Sequence, residues 1–213
     1  MDIRLTYFNI PFWRAEASRI ALHMAGISFE ESWPGREEFG EMRASGELPY
    51  GQLPVLDVDG VRIAQSLAIA RFCGKLSGLY PKEDAIAAAR VDELLDTASQ
   101  MTELLAPSMR ERDPQKKAEL RAHLGAVTLP KWLGFLESRL AVNAPESAFV
   151  GSALTMADLV IWRLVSWLTG GILDGIPHDL LESCPGLTAH QEWVNNHPGV
   201  RSWADVRSRR KTT

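Results

Sequence analysis

Two stretches carry residues whose types and spacing could do chemistry. In the first, Gln52-Leu53-Pro54-Val55-Leu56-Asp57-Val58 and Val61-Arg62-Ile63-Ala64 flank Asp59-Gly60 and run into Gln65-Ser66. An Asp-Gly pair between apolar runs predicts a hairpin, with strands over 53–58 and 61–64. Pro54 belongs at a strand mouth or tight turn, where a cis bond is admissible. Ile69, Phe72, Cys73 and Leu76 then recur at helical spacing, which puts Ser66 at a helix N-terminus. A hydroxyl there, with free N–H groups and the positive end of the macrodipole, suits a carboxylate. It could equally cap its own helix, and the stretch alone leaves both readings open. The second stretch is the alternation Ile3, Leu5, Tyr7, whose closing phenol reads by itself as an aromatic packed on the core.

Other chemistries find no support. His23, His123, His178, His190 and His197 form neither an H-E-x-x-H motif nor a Cys/His cluster, and no metal site is expected. Cys73 and Cys184 lack the spacing of redox or zinc motifs and read as structural thiols. No glycine-rich phosphate loop and no Ser-His-Asp order stands out.

These residues need elements to position them. Ala17, Ile20, Ala21 and Met24 follow the first strand at i, i+3, i+4 and i+7, with Gly26 as the stop. Residues 27–33 alternate again, so the first two strands are parallel neighbours, and 37–45 reads as a short polar helix or turn. The order is β-α-β-α-β-β-α. Gly78 and Pro81 break the pattern, so a first domain spans 1–78, a linker 79–84 and an all-helical domain 85–213. There a long helix runs from Ala85 towards Pro107, ending before it or kinking near it. A second opens at Asp113-Pro114 and continues through Leu136, bent at Pro130. Thr155-Met156-Ala157-Asp158 is a capping box before an apolar run, the expected buried centre of that domain. Shorter helices over 177–182, 187–196 and 198–210 close the chain.

Of 213 residues, 46% are hydrophobic and 23% charged, which suits a globular protein. A formal net charge of −4 argues against a nucleic-acid partner. The basic run from Arg207 to Lys211 reads as a solvated, frayed end. No apolar run reaches the ~20 residues that span a bilayer, and Met1-Asp2-Ile3-Arg4 opens a strand rather than a signal peptide, so a cytoplasmic location and no membrane partner are expected.

A thioredoxin-like domain followed by an all-helical one resembles the cytosolic glutathione transferases. The motifs that carry the resemblance are Leu5-Thr6-Tyr7-Phe8-Asn9, Arg14-Ala15-Glu16, Leu48-Pro49-Tyr50-Gly51-Gln52-Leu53-Pro54-Val55-Leu56, Gln65-Ser66-Leu67-Ala68-Ile69 and Thr155-Met156-Ala157-Asp158. Their wording is most like the sigma class, which includes haematopoietic prostaglandin D synthase. The resemblance implies that Tyr7 donates a hydrogen bond to the glutathione sulfur and that Arg14 supplies a cation beside it. It implies that Phe8 borders the site, that Leu53 before Pro54 pairs its backbone with the cysteinyl portion, and that Gln65 and Ser66 bind the γ-glutamyl group. Phe39 and Arg43 fall at the glycyl end, after an apparent two-residue insertion before Pro49. Gln52 replaces a frequent lysine.

The resemblance also implies a homodimer, with Gln100 reaching across to the γ-glutamyl group, and a pocket for a hydrophobic electrophile drawn from Phe12, Trp13, Thr102, Val160, Arg163 and Leu164. Ser99, Gln100 and Pro107 stand where the prostaglandin synthases have acidic residues and a tryptophan. The expected function is therefore conjugation of glutathione, as in detoxification. A glutathione-dependent isomerase of prostaglandin-H2-like endoperoxides and a non-catalytic, crystallin-like member are the alternatives.

Overall fold

In a computed structural model that describes residues 1–210, the contacts divide the chain into two units. The first contains Met1–Glu83 and the helix that begins at Pro198; the second is Asp84–His197. That closing helix, placed in the helical domain by the sequence reading, thus packs with the first unit.

The first unit holds a four-stranded sheet in the order β2-β1-β3-β4, formed by β1 (Ile3–Thr6), β2 (Glu30–Ser32), β3 (Val55–Val58) and β4 (Val61–Ala64). β1 runs parallel to β2 and antiparallel to β3, and β3 and β4 make the hairpin. Asp59 and Gly60 both take positive φ, 48° and 83°, as a two-residue type I′ turn requires, and the Leu53-Pro54 bond is cis. Period-2 alternation sends Ile3 and Leu5 into the core. Arg4 points to the opposite face, where it donates to Glu30. α1 (Trp13–Met24) and α3 (Ser66–Ser77) pack on each other, and α9 (Pro198–Arg210) lies along α1. α2 (Arg36–Ala44) buries no residue. A polar cavity of about 370 Å³ opens between its Glu38, Glu41 and Met42 and the strand residues Arg4, Thr6, Ser32 and Arg62.

The second unit is helical throughout its regular elements: α4 (Ala85–Arg110), α5 (Pro114–His123), α6 (Leu129–Ala141), α7 (Met156–Thr169) and α8 (Pro185–Asn196). Asp84 and Asp113 cap α4 and α5 with their carboxylates. α4 continues through Pro107 instead of stopping there. The helix expected from Asp113 to Leu136 is interrupted by a π-helical turn, Leu124–Thr128, in which Leu129 N–H donates to Leu124 C=O. Widening the turn just before Pro130 relieves the clash a proline ring makes with the preceding turn. Gly125 admits Pro177 here, since an added Cβ would lie 2.5 Å from its Cδ. Residues 177–182 form turns rather than the helix expected there.

α7 is the buried centre of this unit, with Leu159, Val160, Ile161, Leu164 and Val165 at 0% exposure. Each such side chain contributes about 1.5–3 kcal/mol. The capping box forms: Thr155 N–H and Oγ1–H both donate to Asp158 Oδ2 at 2.7 Å. Asp158 also accepts from Phe149 N–H at 2.8 Å and makes a 3.1 Å contact with His190 Nε2.

Candidate functional site

At the end of β1, Tyr7 N–H donates to Ser32 C=O at 3.0 Å, extending the parallel ladder by one residue. The side chain is 5% exposed, and burial pushes its phenol up to about 12 against the pull of Arg14 and Arg19. A phenol so placed stays protonated at neutral pH and is able to donate a hydrogen bond. The two guanidinium groups favour an anion beside it.

Phe8 follows, with its ring 5.5 Å from that of Tyr7 and edge-on to Phe39 of α2 at 5.3 Å. Arg43, one turn further on α2, stacks its guanidinium 5.7 Å from the Phe39 ring. A Cβ on Gly51, which sits at φ +61°, would meet Arg43 Nε at 3.7 Å, so this cation also lies against the turn before Gln52. Phe8, Phe39, Arg43 and the 48–52 turn therefore form one edge of the first unit.

Leu53 lies beyond both ladders of β3, whose pairing begins at Val55 with Thr6 and Ala64. It is half-buried and precedes the buried Pro54. Across the hairpin, Gln65 is the N-cap of α3 with φ 74° and ψ 118°, a conformation costly for a residue with a Cβ. Ser66 is the first helical residue, 5% exposed, and the N-cap Gln65 makes no side-chain capping bond.

The expected electrophile wall needs correcting. Trp13 is 1% exposed at the start of α1, and Val160 and Leu164 are fully buried on α7, so none offers a ligand any surface. The apolar spacing that suggested α7 marks its packing. Thr102 is 7% exposed and donates its hydroxyl to Ala98 C=O at 2.8 Å. Phe12 is half-buried against Trp13, Arg163 is half-buried with its guanidinium 4.9 Å from the Trp162 ring, and Gln100 is exposed on α4. Arg14 is half-buried with its guanidinium 4.9 Å from the Trp13 ring.

Reading the sequence missed a buried charge cluster behind the Tyr7 strand. Glu16 and Arg19 of α1 are 3% and 0% exposed and hydrogen-bonded to each other at 3.1 Å. Arg19 also pairs with Glu31 of β2. Arg207, expected in a frayed tail, instead donates to Glu16 from α9, while Lys211 lies outside the described residues. Among the described residues no group of three or more potential ligands could hold a metal.

Comparison with known proteins places this geometry in context. Residues 3–74 match the family described as glutathione S-transferase, N-terminal domain, and residues 99–207 match its C-terminal domain. The chain is similar to glutathione S-transferase 1 of Ascaris suum, at 33% identity over 94% of each chain. Among solved structures it is similar to prostaglandin synthase D of Nilaparvata lugens, with a TM-score of 0.84 and 26% identity over 96% of this chain and 98% of that one. It is likewise similar to monomeric Na-GST-3 of Necator americanus, with a TM-score of 0.81 and 30% identity over 97% and 98%.

Proposed function

The chain belongs to the glutathione S-transferase family, an enzyme that uses glutathione as substrate, and from that premise we propose that Tyr7 and Arg14 activate the thiol at the end of β1. The observation that carries this reading is a buried phenol held protonated between cations. A free thiol has a pKa of ~8.5, and lowering it by two units requires ~2.7 kcal/mol of preference for the thiolate. A charge-assisted hydrogen bond from Tyr7, with the field of Arg14 and Arg19, is of that size. The thiolate then forms a sulfur–carbon bond to an electrophilic carbon, and the displaced electron pair leaves with the leaving group or is protonated by solvent.

In this reading Ser66 and the N-terminus of α3 take the γ-glutamyl carboxylate, with Gln65 beside them. Leu53 pairs its backbone with the cysteinyl portion by β-augmentation. Arg43, stacked on Phe39, forks the glycyl carboxylate, with Gln52 adjoining it. The co-substrate is a hydrophobic electrophile. A sigma-class, cytoplasmic, detoxifying homodimer, with Gln100 serving the partner's site, completes the proposal. Among the described residues no helix is long and apolar enough to cross a membrane. The likeness to a prostaglandin synthase supports a second reading, isomerisation of an endoperoxide with glutathione as true cofactor.

Titration of bound glutathione by ultraviolet thiolate absorbance tests the first reading. Wild type should show the thiolate at least one unit below free glutathione, and Tyr7→Phe should return it towards the free value. Glutathione bound with an unshifted thiol would refute activation.

A further inference from the structure

The segment that follows Tyr7 is held by two arginines. Arg19 donates from one terminal nitrogen to Ile10 C=O at 3.2 Å and from the other to Phe8 C=O at 3.3 Å. Arg207, from α9, donates to Asn9 Oδ1 at 3.1 Å. All three residues between Tyr7 and Pro11 are thereby tied.

Both guanidinium groups converge on one carboxylate. Glu16 Oε2 accepts from Arg19 at 3.1 Å and from Arg207 at 3.3 Å, and Oε1 accepts the indole N–H of Trp203 at 2.8 Å. Trp203, 3% exposed, packs its ring against His23, whose Nε2 contacts Ser202 Oγ at 3.0 Å. Arg19 itself stands 6.0 Å from the centre of the Tyr7 ring. The chain of contacts thus runs from α9 through Glu16 and Arg19 to the proposed thiol donor, entirely within the first unit.

Stability alone is a poor reason for such a cluster. Buried charges lose hydration, and apolar residues of similar volume often do as well or better. Directional bonds to two successive-but-one carbonyls and to Asn9 instead fix the backbone path of a short loop, and thiol chemistry is sensitive to displacements of about 1 Å.

We propose that Glu16, Arg19, Trp203 and Arg207 are positioning residues through which α9 sets the Tyr7–Ile10 segment, so that this helix belongs to the framework of the glutathione site. The inference rests on Tyr7 being the donor to the thiol.

The test uses Arg207→Met, whose native side chain is only 11% exposed but lies at the rim of the cluster, with Arg201→Met on the exposed side of α9 as control. Thiolate absorbance against pH, KM for glutathione, kcat and the melting temperature are measured for each. In Arg207→Met the bound thiol should titrate about half a unit to one unit higher. KM for glutathione should rise roughly five-fold or more, while kcat above the new thiol pKa stays near wild type. Arg207→Lys, which can reach Glu16 or Asn9 but not fork both, should recover part of each shift. Arg201→Met should match wild type throughout. If Arg207→Met and Trp203→Phe lower the melting temperature but leave the thiol profile and KM unchanged, α9 is merely structural and the proposal is overturned. An unshifted thiol in wild type itself would bring down the Tyr7 reading and this inference together.

Discussion

Two helices of the first unit, α1 and α2, are held in opposite ways. α1 buries every residue from Ala15 to Leu22, including two charged ones, whereas α2 buries none. The sequence Arg36-Glu37-Glu38-Phe39-Gly40-Glu41-Met42-Arg43-Ala44 has no apolar stripe wide enough to seat a helix, and a polar cavity lies beneath it. Segments with few buried contacts open at low free-energy cost, while those in the core open only with the whole unit. The contrast teaches that the sulfur end of the proposed site rests on a helix buried in the core. The glycyl end of the proposed site falls on a helix that buries no residue of its own.

The sharpest way to break this contrast is at Arg19. Arg19→Met leaves Glu16 and Glu31 buried without that cation, and should cost ~3–5 kcal/mol in denaturant unfolding. A loss below ~1 kcal/mol would mean that the α1 side is no more firmly held than α2.

Alkaline titration gives the next largest effect. Burial pushes both the Tyr7 phenol and the Cys73 thiol up to about 12, so the folded chain keeps these protons where the unfolded chain has released them. Stability is therefore full below the unfolded values and falls as pH rises, first through the range in which only the unfolded Cys73 thiol ionises and then the unfolded phenol. Two units on Tyr7 correspond to at most ~2.7 kcal/mol, and Tyr7→Phe should flatten the curve above pH ~10. An unaltered slope in that variant would show that the phenol is not held as the structure has it.

The smallest effect is expected on the α2 side. Phe39→Ala removes the edge-on contact to Phe8 and should cost less than ~1.5 kcal/mol of global stability. It should nonetheless speed amide exchange across 36–44 when glutathione is absent, and the difference should narrow when it is bound. Equal exchange in both proteins would erase the distinction between the two helices.

Much of this arrangement was legible because it is written locally. Asp59-Gly60, Asp113-Pro114 and Thr155-x-x-Asp158 each encode a turn or a cap within four residues, and each formed as its chemistry requires. Glu16 could have been found too: Trp13, Glu16 and Ile20 share one helical stripe, so a carboxylate there had to be buried and paired. The positive φ of Gln65 had no such signal, because a residue with a Cβ at that position gives no hint of a left-handed backbone. Nor could spacing reveal where the closing helix packs. Trp203 meets Glu16 across 187 residues of sequence, and an amphipathic helix states that it has a face without stating what covers it. For the same reason the apolar run of α7 yielded its core correctly but invited Val160 and Leu164 into a pocket that their burial closes to them.

The position of α9 also bears on the order in which the molecule can be made. Its residues complete the first unit, yet in the chain they follow the whole of the second. During synthesis, at ~5–20 residues per second, the opening strand and α1 wait roughly 10–40 seconds before Trp203 and Arg207, the distant partners of Glu16, are made. Over that interval a carboxylate and a guanidinium destined for the interior have only each other and Glu31, while the helical unit can already have condensed. The first unit is thus completed only when α9 arrives.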